Sequence, residues 1–294
     1  MNGFINVLKP PGLTSAAVVG AVKRLTGERR VGHAGTLDPE AAGVLPIMVG
    51  RATRLFEYLA DKEKTYIAEC AFGAATDTQD AQGRVIQTGD SWPDWNQCLS
   101  ACASLIGEIQ QRPSAYSAIK KDGKPLYRLA REGRSVEVPT RTVRIDRIEL
   151  LRQLPGHGLL MRVDCGRGTY IRTLCHDLGT LCGCPAHMRF LLRCKTGSFD
   201  LSTAVTLEEL EAAASAGTLV EHLLPADYPL ERFPAVRVSP AFCRMATNGA
   251  AIPLGESEGT AEDDGYARVY LDGAFRGIVQ RKGGSLVWKT LLPE

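Results

Sequence analysis

An α+β fold is what this chain predicts, and three observations carry the prediction. Strand-like runs recur from Gly3 to Trp288, stretches of helical spacing with good capping residues lie among them, and Gly, Pro and Asp-Gly turn signals separate the two kinds. A length of 294 residues suits one large domain, or a domain with a small module. Hydrophobic residues make up 44% and charged residues 23%, an ordinary balance for a globular protein. No apolar run approaches the roughly 20 residues of a membrane helix, and the first residues lack the basic and apolar regions of a secretory signal. A cytoplasmic protein is expected.

The elements follow in order. Gly3 to Leu8 reads as a strand, closed by the turn Lys9-Pro10-Pro11-Gly12. Thr14 and Ser15 are helix N-caps for Ala16 to Leu25, with Gly27 just past the end. Arg51 to Ala60 has amphipathic spacing, with Leu55, Phe56 and Leu59 on one side. Lys64 to Phe72 predicts a strand with Tyr66 at its start, and Gly73 to Gly83 a polar loop. Asp77 and Asp80 in that loop read as Asx-type turns. Asp94 to Gly107 predicts a helix; so does the stretch from Gly123 to Arg131, with Arg128 and Arg131 neighbours on one face. Thr142 to Leu154 and Gly158 to Cys165 form a hairpin around Pro155-Gly156. Thr169 can cap a helix that holds Tyr170 and Arg172 in its first turn. Ala186 to Cys194 is strand-like, and Leu207 to Ala214 is a short acidic helix. Tyr228 to Pro234 reads as a linker, beyond which short β segments alternate with Gly turns and the strong hairpin signal Asp272-Gly273. The division expected is residues 1–230 and 231–294.

One stretch organises the rest: Gly32-His33-Ala34-Gly35-Thr36-Leu37-Asp38-Pro39-Glu40-Ala41-Ala42-Gly43-Val44-Leu45-Pro46. Gly32, Gly35, Pro39 and Gly43 crowd a single acid, Asp38, onto a shaped loop just before an apolar strand. On its own an Asp-Pro pair is most often a turn. The whole stretch, however, resembles the catalytic motif of the TruB-type tRNA pseudouridine-55 synthases. Further blocks resemble that family in the family's order: Pro113-Ser114 to Lys120, Gly123 to Arg131, and Gly168-Thr169-Tyr170-Ile171-Arg172-Thr173-Leu174. The resemblance covers residues 3 to 195. One departure is Leu191-Leu192-Arg193, where family sequences often read Leu-Arg-Arg, which questions a basic role at position 192.

The resemblance implies the pseudouridine synthase fold, a mixed, largely antiparallel sheet with flanking helices, and a small C-terminal β-module of the PUA type. It implies isomerisation of uridine to pseudouridine in the T-loop of tRNA, with Asp38 the catalytic carboxylate. Arg172 would pair with Asp38 and orient it. Tyr66 would stack on the uracil and take part in proton removal. His33 would fill the gap left by the flipped base, and Tyr170 and Leu191 would line its pocket. The reaction changes no oxidation state, so no cofactor is expected. The partner is the T-arm stem-loop of tRNA; no membrane and no protein partner are implied, and a monomer is expected.

Charge agrees with a polyanionic partner only through its distribution. The net charge is +2, but residues 112–200 hold 17 Lys and Arg against 8 Asp and Glu, a basic middle suited to a phosphate backbone. Arg128 and Arg131 are candidates for that contact. The nine cysteines are expected to be reduced thiols. Cys175, His176, Cys182, Cys184, His187 and Cys194 lack paired zinc-ligand spacing, and no metal is expected. Two other classes compete. A non-catalytic RNA-binding protein would lack the acid, whereas Asp38 is present. A metal-dependent hydrolase would use Asp77, Asp80 and the Cys/His cluster, and would retain metal on purification. Within the enzyme class, ribosomal RNA is the alternative target.

Overall fold

The computed structural model describes residues 1–59, 63–116, 120–121, 124–126 and 138–293. In chain order, β1 (Gly3–Lys9) leads into α1 (Ser15–Thr26), β2 (Val31–His33) and β3 (Ala42–Val49), then a 3₁₀ helix over Gly50–Leu59 and β4 (Lys64–Phe72). The hairpin of β5 (Ala74–Thr76) and β6 (Val85–Thr88) precedes α2 (Trp95–Ser104) and β7 (Gly107–Gln111). After the short ladder of β8 (Lys120–Lys121) and β9 (Lys124–Pro125) come β10 (Arg141–Leu154), β11 (Gly158–Cys165), α3 (Ile171–Leu181), β12 (Ala186–Thr196), β13 (Phe199–Asp200) and α4 (Leu207–Ala216). The C-terminal part holds β14 (Ala235–Val238), α5 (Pro240–Thr247), β15 (Ile252–Pro253), β16 (Ser257–Glu258), β17 (Tyr266–Leu271), β18 (Ala274–Lys282) and β19 (Ser285–Leu291).

The large sheet runs β1-β3-β12-β4-β11-β10-β7. Its neighbours pair antiparallel except β3 and β12, which meet in parallel through Leu192–Ala42 and Arg193–Gly43. The predicted class, α+β with a largely antiparallel sheet and a small β-module, is therefore the one found. Alternation explains the two faces. Ile5, Val7, Leu45, Ile47 and Val49 pack in one apolar cluster that also takes residues of α1, α2, α3 and α4, while Phe4, Val44 and Met48 enter a second cluster on the opposite face.

Local chemistry accounts for the departures from the expected elements. Residues 50–59 form a 3₁₀ helix, whose three-residue turn brings Ala52, Leu55 and Tyr58 into the core and leaves Phe56 52% exposed. Phe56 therefore does not share the face of Leu55 and Leu59. The helix expected to reach Gly107 ends at Ser104, because Gly107 adopts φ +103° and opens β7 opposite Ile145. Of the two expected caps for α1, Thr14 accepts from the Ala17 amide, and Ser15 turns inward to the loop carrying Asp38. Residues 228–234 are no free linker. Tyr228–Leu230 form a 3₁₀ turn with Pro229 and Leu230 buried, and Arg232 Nη2 donates to the Tyr58 carbonyl at 3.0 Å. The second cluster also contains Ile278 and Leu292, with Phe275 against it, so it joins the C-terminal sheet to the large one. The Asp272-Gly273 turn closes β17 on β18 with φ of 50° and 77°, as the hairpin signal requires.

Candidate active site

Asp38 lies on the loop between β2 and β3, and four neighbouring groups pin that loop. Ser15 Oγ donates to the Leu37 carbonyl at 3.0 Å and accepts from the Leu37 amide at 2.9 Å. The Gly12 amide donates to the Pro39 carbonyl at 2.9 Å. Lys9 is fully buried, and its ammonium donates to the carbonyls of Pro10, Leu13 and Pro39 at 2.7, 2.6 and 2.7 Å. Arg193 completes the set from β12. Its guanidinium is 1% exposed and donates to the carbonyls of Val44 at 2.8 Å, Thr36 at 3.2 Å and Gly35 at 3.3 Å. The parallel contact of β3 with β12 makes this reach possible. A Cβ on Gly43, where φ is +118°, would stand 2.2 Å from the Arg193 carbonyl oxygen, so only glycine fits there.

The Asp38 carboxylate, 37% exposed, faces α3. Arg172 sits in the first turn of that helix with its side chain 8% exposed; its Nε lies 3.0 Å from Asp38 Oδ2 and its Nη2 3.4 Å from Oδ1. Nη1 of the same guanidinium meets Asp80 Oδ2 at 3.4 Å and the Thr78 carbonyl at 3.2 Å, and Nη2 also donates to the Tyr116 carbonyl at 3.3 Å. A planar donor fork held on both edges fixes the carboxylate it pairs with. Asp80 is itself fixed, accepting at Oδ1 from Thr78 Oγ1 at 2.7 Å and from the Gln82 amide at 3.1 Å. The Asx turn expected at Asp80 is present, whereas Asp77 Oδ1 accepts from the Arg84 amide across the β5–β6 hairpin, and the second oxygen of Asp80 carries a contact to Arg172 that turn reasoning does not anticipate.

The start of α3 is not capped by Thr169, whose hydroxyl donates back to the Gly166 carbonyl. Tyr170 takes the cap position without a side-chain bond to the helix. A fully buried amide from β7 does the holding instead: Gln111 Oε1 accepts from the Tyr170 amide at 3.0 Å, and Gln111 Nε2 donates to the Tyr170 carbonyl at 3.2 Å. Burial pushes the Tyr170 hydroxyl pKa up.

Tyr66 is paired with Arg193 across β4 and β12. Burial pushes its hydroxyl pKa up to about 12, the Arg193 charge opposing the rise. Tyr66, Leu191, Leu37 and Ile171 share one apolar cluster, which places the expected pocket residues Tyr66 and Leu191 beside the Asp38 loop. His33 closes β2. Its Nδ1 accepts from the Gly35 amide at 3.4 Å, and burial together with the Arg193 charge lowers its pKa, so the ring is neutral at pH 7.

The structure thus brings together Asp38, Arg172, Tyr66, Tyr170, His33 and Leu191. Arg128 and Arg131 lie outside the described residues. Elsewhere, part of the basic excess is already neutralised, because Arg144 pairs with Asp146, Arg147 with Glu149, Arg162 with Asp164 and Arg189 with Glu69. The nine thiols are unpaired, and burial raises those of Cys98 and Cys102 to about 12 and that of Cys165 to about 11. Among the described residues no three His, Cys, Asp or Glu side chains are grouped as a metal would need, and no helix is long and apolar enough to cross a membrane.

Comparison with known proteins places this geometry. Residues 23–171 match the TruB family pseudouridylate synthase (N terminal domain), and residues 172–231 match the tRNA pseudouridylate synthase B C-terminal domain. The chain belongs to the TruB family. It is 41% identical over 283 residues to the tRNA pseudouridine synthase B of Clostridioides difficile, covering 95% of this chain and 94% of that one. It is 47% identical over 254 residues to that of Moorella thermoacetica, covering 85% and 83%. In three dimensions it resembles the crystal structure of a Cbf5-Nop10-Gar1 complex at TM-score 0.75 and 25% identity, covering 99% of this chain and 85% of that one. This TruB chain is accordingly an enzyme, a tRNA pseudouridine synthase. Reading the TruB motifs alone locates Asp38 and Arg172 but leaves Lys9, Asp80, Gln111 and Arg193 unassigned. Arg193 directly follows the Leu-Leu pair, in a strand run that also carries Arg189 and Lys195, so nothing in the sequence singles it out.

Proposed function

We propose that the enzyme isomerises uridine 55 in the T-loop of tRNA and that Asp38 is the catalytic carboxylate. The observation that carries this reading is the two-point contact of Arg172 with Asp38 on a loop pinned by Ser15, Lys9 and Arg193. The reaction breaks a glycosidic N–C bond, turns the uracil and forms a C–C bond. It needs a carboxylate held at one place, and attack on a carbon or removal of a sugar proton would both use Asp38 in this position. Tyr66 presents an apolar ring to the base. With its hydroxyl raised to about 12, it acts as a phenol and a stacking platform at neutral pH. Neutral His33 supplies a flat ring to stand in for a uridine taken out of its stack. Tyr170 and Leu191 complete the base pocket. No group from outside enters the product, so the chemistry balances without a cofactor.

Residues 1–230 are read as the catalytic part and 231–294 as an RNA-binding module of the PUA type, with tRNA in the cytoplasm as the substrate. The test is to map pseudouridine in an unmodified tRNA transcript after incubation with the protein, beside a transcript with cytidine at position 55. Conversion confined to uridine 55 supports the reading. Conversion elsewhere, or in ribosomal RNA alone, overturns the assignment of the target.

A further inference from the structure

The rim of the site holds a cation with nothing to neutralise it. Lys64 and Tyr66 are two residues apart on β4, so the strand's alternation turns them to the same face, about 6.6 Å apart. Across from Lys64 stand Cys165 on β11 and Thr196 on β12, neither of them an acid. Its titratable neighbours are two cations, Arg193 and Arg167, and the Cys165 thiol, which burial keeps neutral. Among the described residues no carboxylate comes within ion-pair distance of its ammonium, whereas Arg144, Arg147, Arg162 and Arg189 each have one. Burial and the Arg193 charge both disfavour the charged amine. A partly buried ammonium beside two guanidinium groups is unfavourable until an anion arrives. In an enzyme that acts on RNA, the anion at hand is a phosphodiester.

We propose that Lys64 is a phosphate seat, which takes a backbone phosphodiester flanking the uridine that lies against Tyr66. The inference rests on the functional reading above. Arg193 contributes its field from behind, since its guanidinium is committed to the carbonyls of Gly35, Thr36 and Val44. Arg167, on the exposed turn before α3, adds to the same field. A lysine suits such a seat, because a compact point charge tolerates a backbone that turns as the base leaves the stack. The seat would set which nucleotide along the strand is presented to Asp38.

The experiment uses T-arm stem-loops with a native backbone, or with one neutral methylphosphonate placed 5′ or 3′ of the target uridine. Filter binding is measured across a KCl series for wild type, Lys64→Met and Lys64→Arg. At low salt, the methylphosphonate at one of the two positions should weaken wild-type binding about tenfold, the worth of one charged hydrogen bond. It should also reduce the slope of log K against log salt by about 0.7–0.9. Lys64→Met should show the same loss on native RNA and no further loss on that modified RNA, while Lys64→Arg should restore the slope. Wild type that binds both modified stem-loops as tightly as the native one overturns the proposal, and this arm requires no variant to fold. So does a Lys64→Met loss of equal size on native and neutral RNA. Pseudouridine formation by wild type on the native stem-loop is scored in the same preparations. Its absence would sink the functional reading, whereas conversion without the phosphate coupling would sink only the seat.

Discussion

Replacing Arg193 by Met asks whether the loop of Asp38 is held from beneath. The guanidinium is 1% exposed and donates to three carbonyls at 2.8, 3.2 and 3.3 Å. A hydrogen bond with a charged partner contributes about 1.5–3 kcal/mol, so three set a ceiling of about 5–9 kcal/mol. Removing the cation also relieves its burial, which costs several kcal/mol even when well bonded, and Met refills most of the space. The expected net loss is about 2–4 kcal/mol. At about 2 °C per kcal/mol for a chain of this size, Tm falls by about 4–8 °C. Turnover should fall further than stability suggests, because a loop displaced by about 1 Å costs on the order of a hundredfold. Arg193→Lys keeps the charge, reaches fewer of the carbonyls and should fall between the two. Calorimetry and single-turnover conversion with enzyme in excess measure both effects. A Tm within about 2 °C of wild type together with a near wild-type rate would refute the reasoning.

Four other outcomes are expected. Asp38→Asn keeps the size of the side chain and should abolish conversion while sparing filter binding, since phosphate contacts supply most RNA affinity; conversion near the wild-type rate would remove Asp38 from the chemistry. Lys9, lowered to about 8 by burial, is protonated below that pH and neutral above it, and a neutral amine has two hydrogens for three carbonyls. Activity should therefore fall as pH rises through about 8, and a Lys9→Met variant that keeps the same alkaline limb would assign that limb elsewhere. His33→Ala should impair conversion of a folded stem-loop more than that of an unstructured oligonucleotide, and equal effects on both would make His33 a loop residue only. Removing residues 231–294 strips Ile278, Leu292 and Phe275 from the cluster that holds Phe4, Leu55 and Tyr58. The truncated protein should melt lower and bind whole tRNA more weakly while still converting a T-arm stem-loop, and total loss of conversion in a folded truncation would deny a separable module.

The strands and most helices were legible because their signals are local. Alternation marked β1, β4 and the β10–β11 hairpin, Gly27 and Asp94 marked helix ends, and Asp272-Gly273 marked a turn. The errors were local competitions decided elsewhere. Ser15 has the chemistry of a cap, yet the loop at Leu37 offered it two bonds at once. Thr169 stands where a cap belongs, yet Gln111 from a strand 59 residues away already held the helix start. Residues 228–234 have a linker's composition, yet Leu230 found an apolar cluster to enter.

By itself the sequence determined the class of fold, the acid on its glycine-rich loop and the family resemblance that gives that acid a meaning, because periodicity, turn chemistry and a long contiguous motif need no knowledge of distant contacts. Only the tertiary structure decided what holds the acid. Lys9, Asp80, Gln111 and Arg193 come from β1, the loop after β5, β7 and β12, and each acts through backbone carbonyls, a backbone amide or one edge of a guanidinium. Such contacts leave no spacing in the chain. They arise where β3 meets β12 in parallel and α3 packs on β12, because burial there penalises a polar group that lacks a partner.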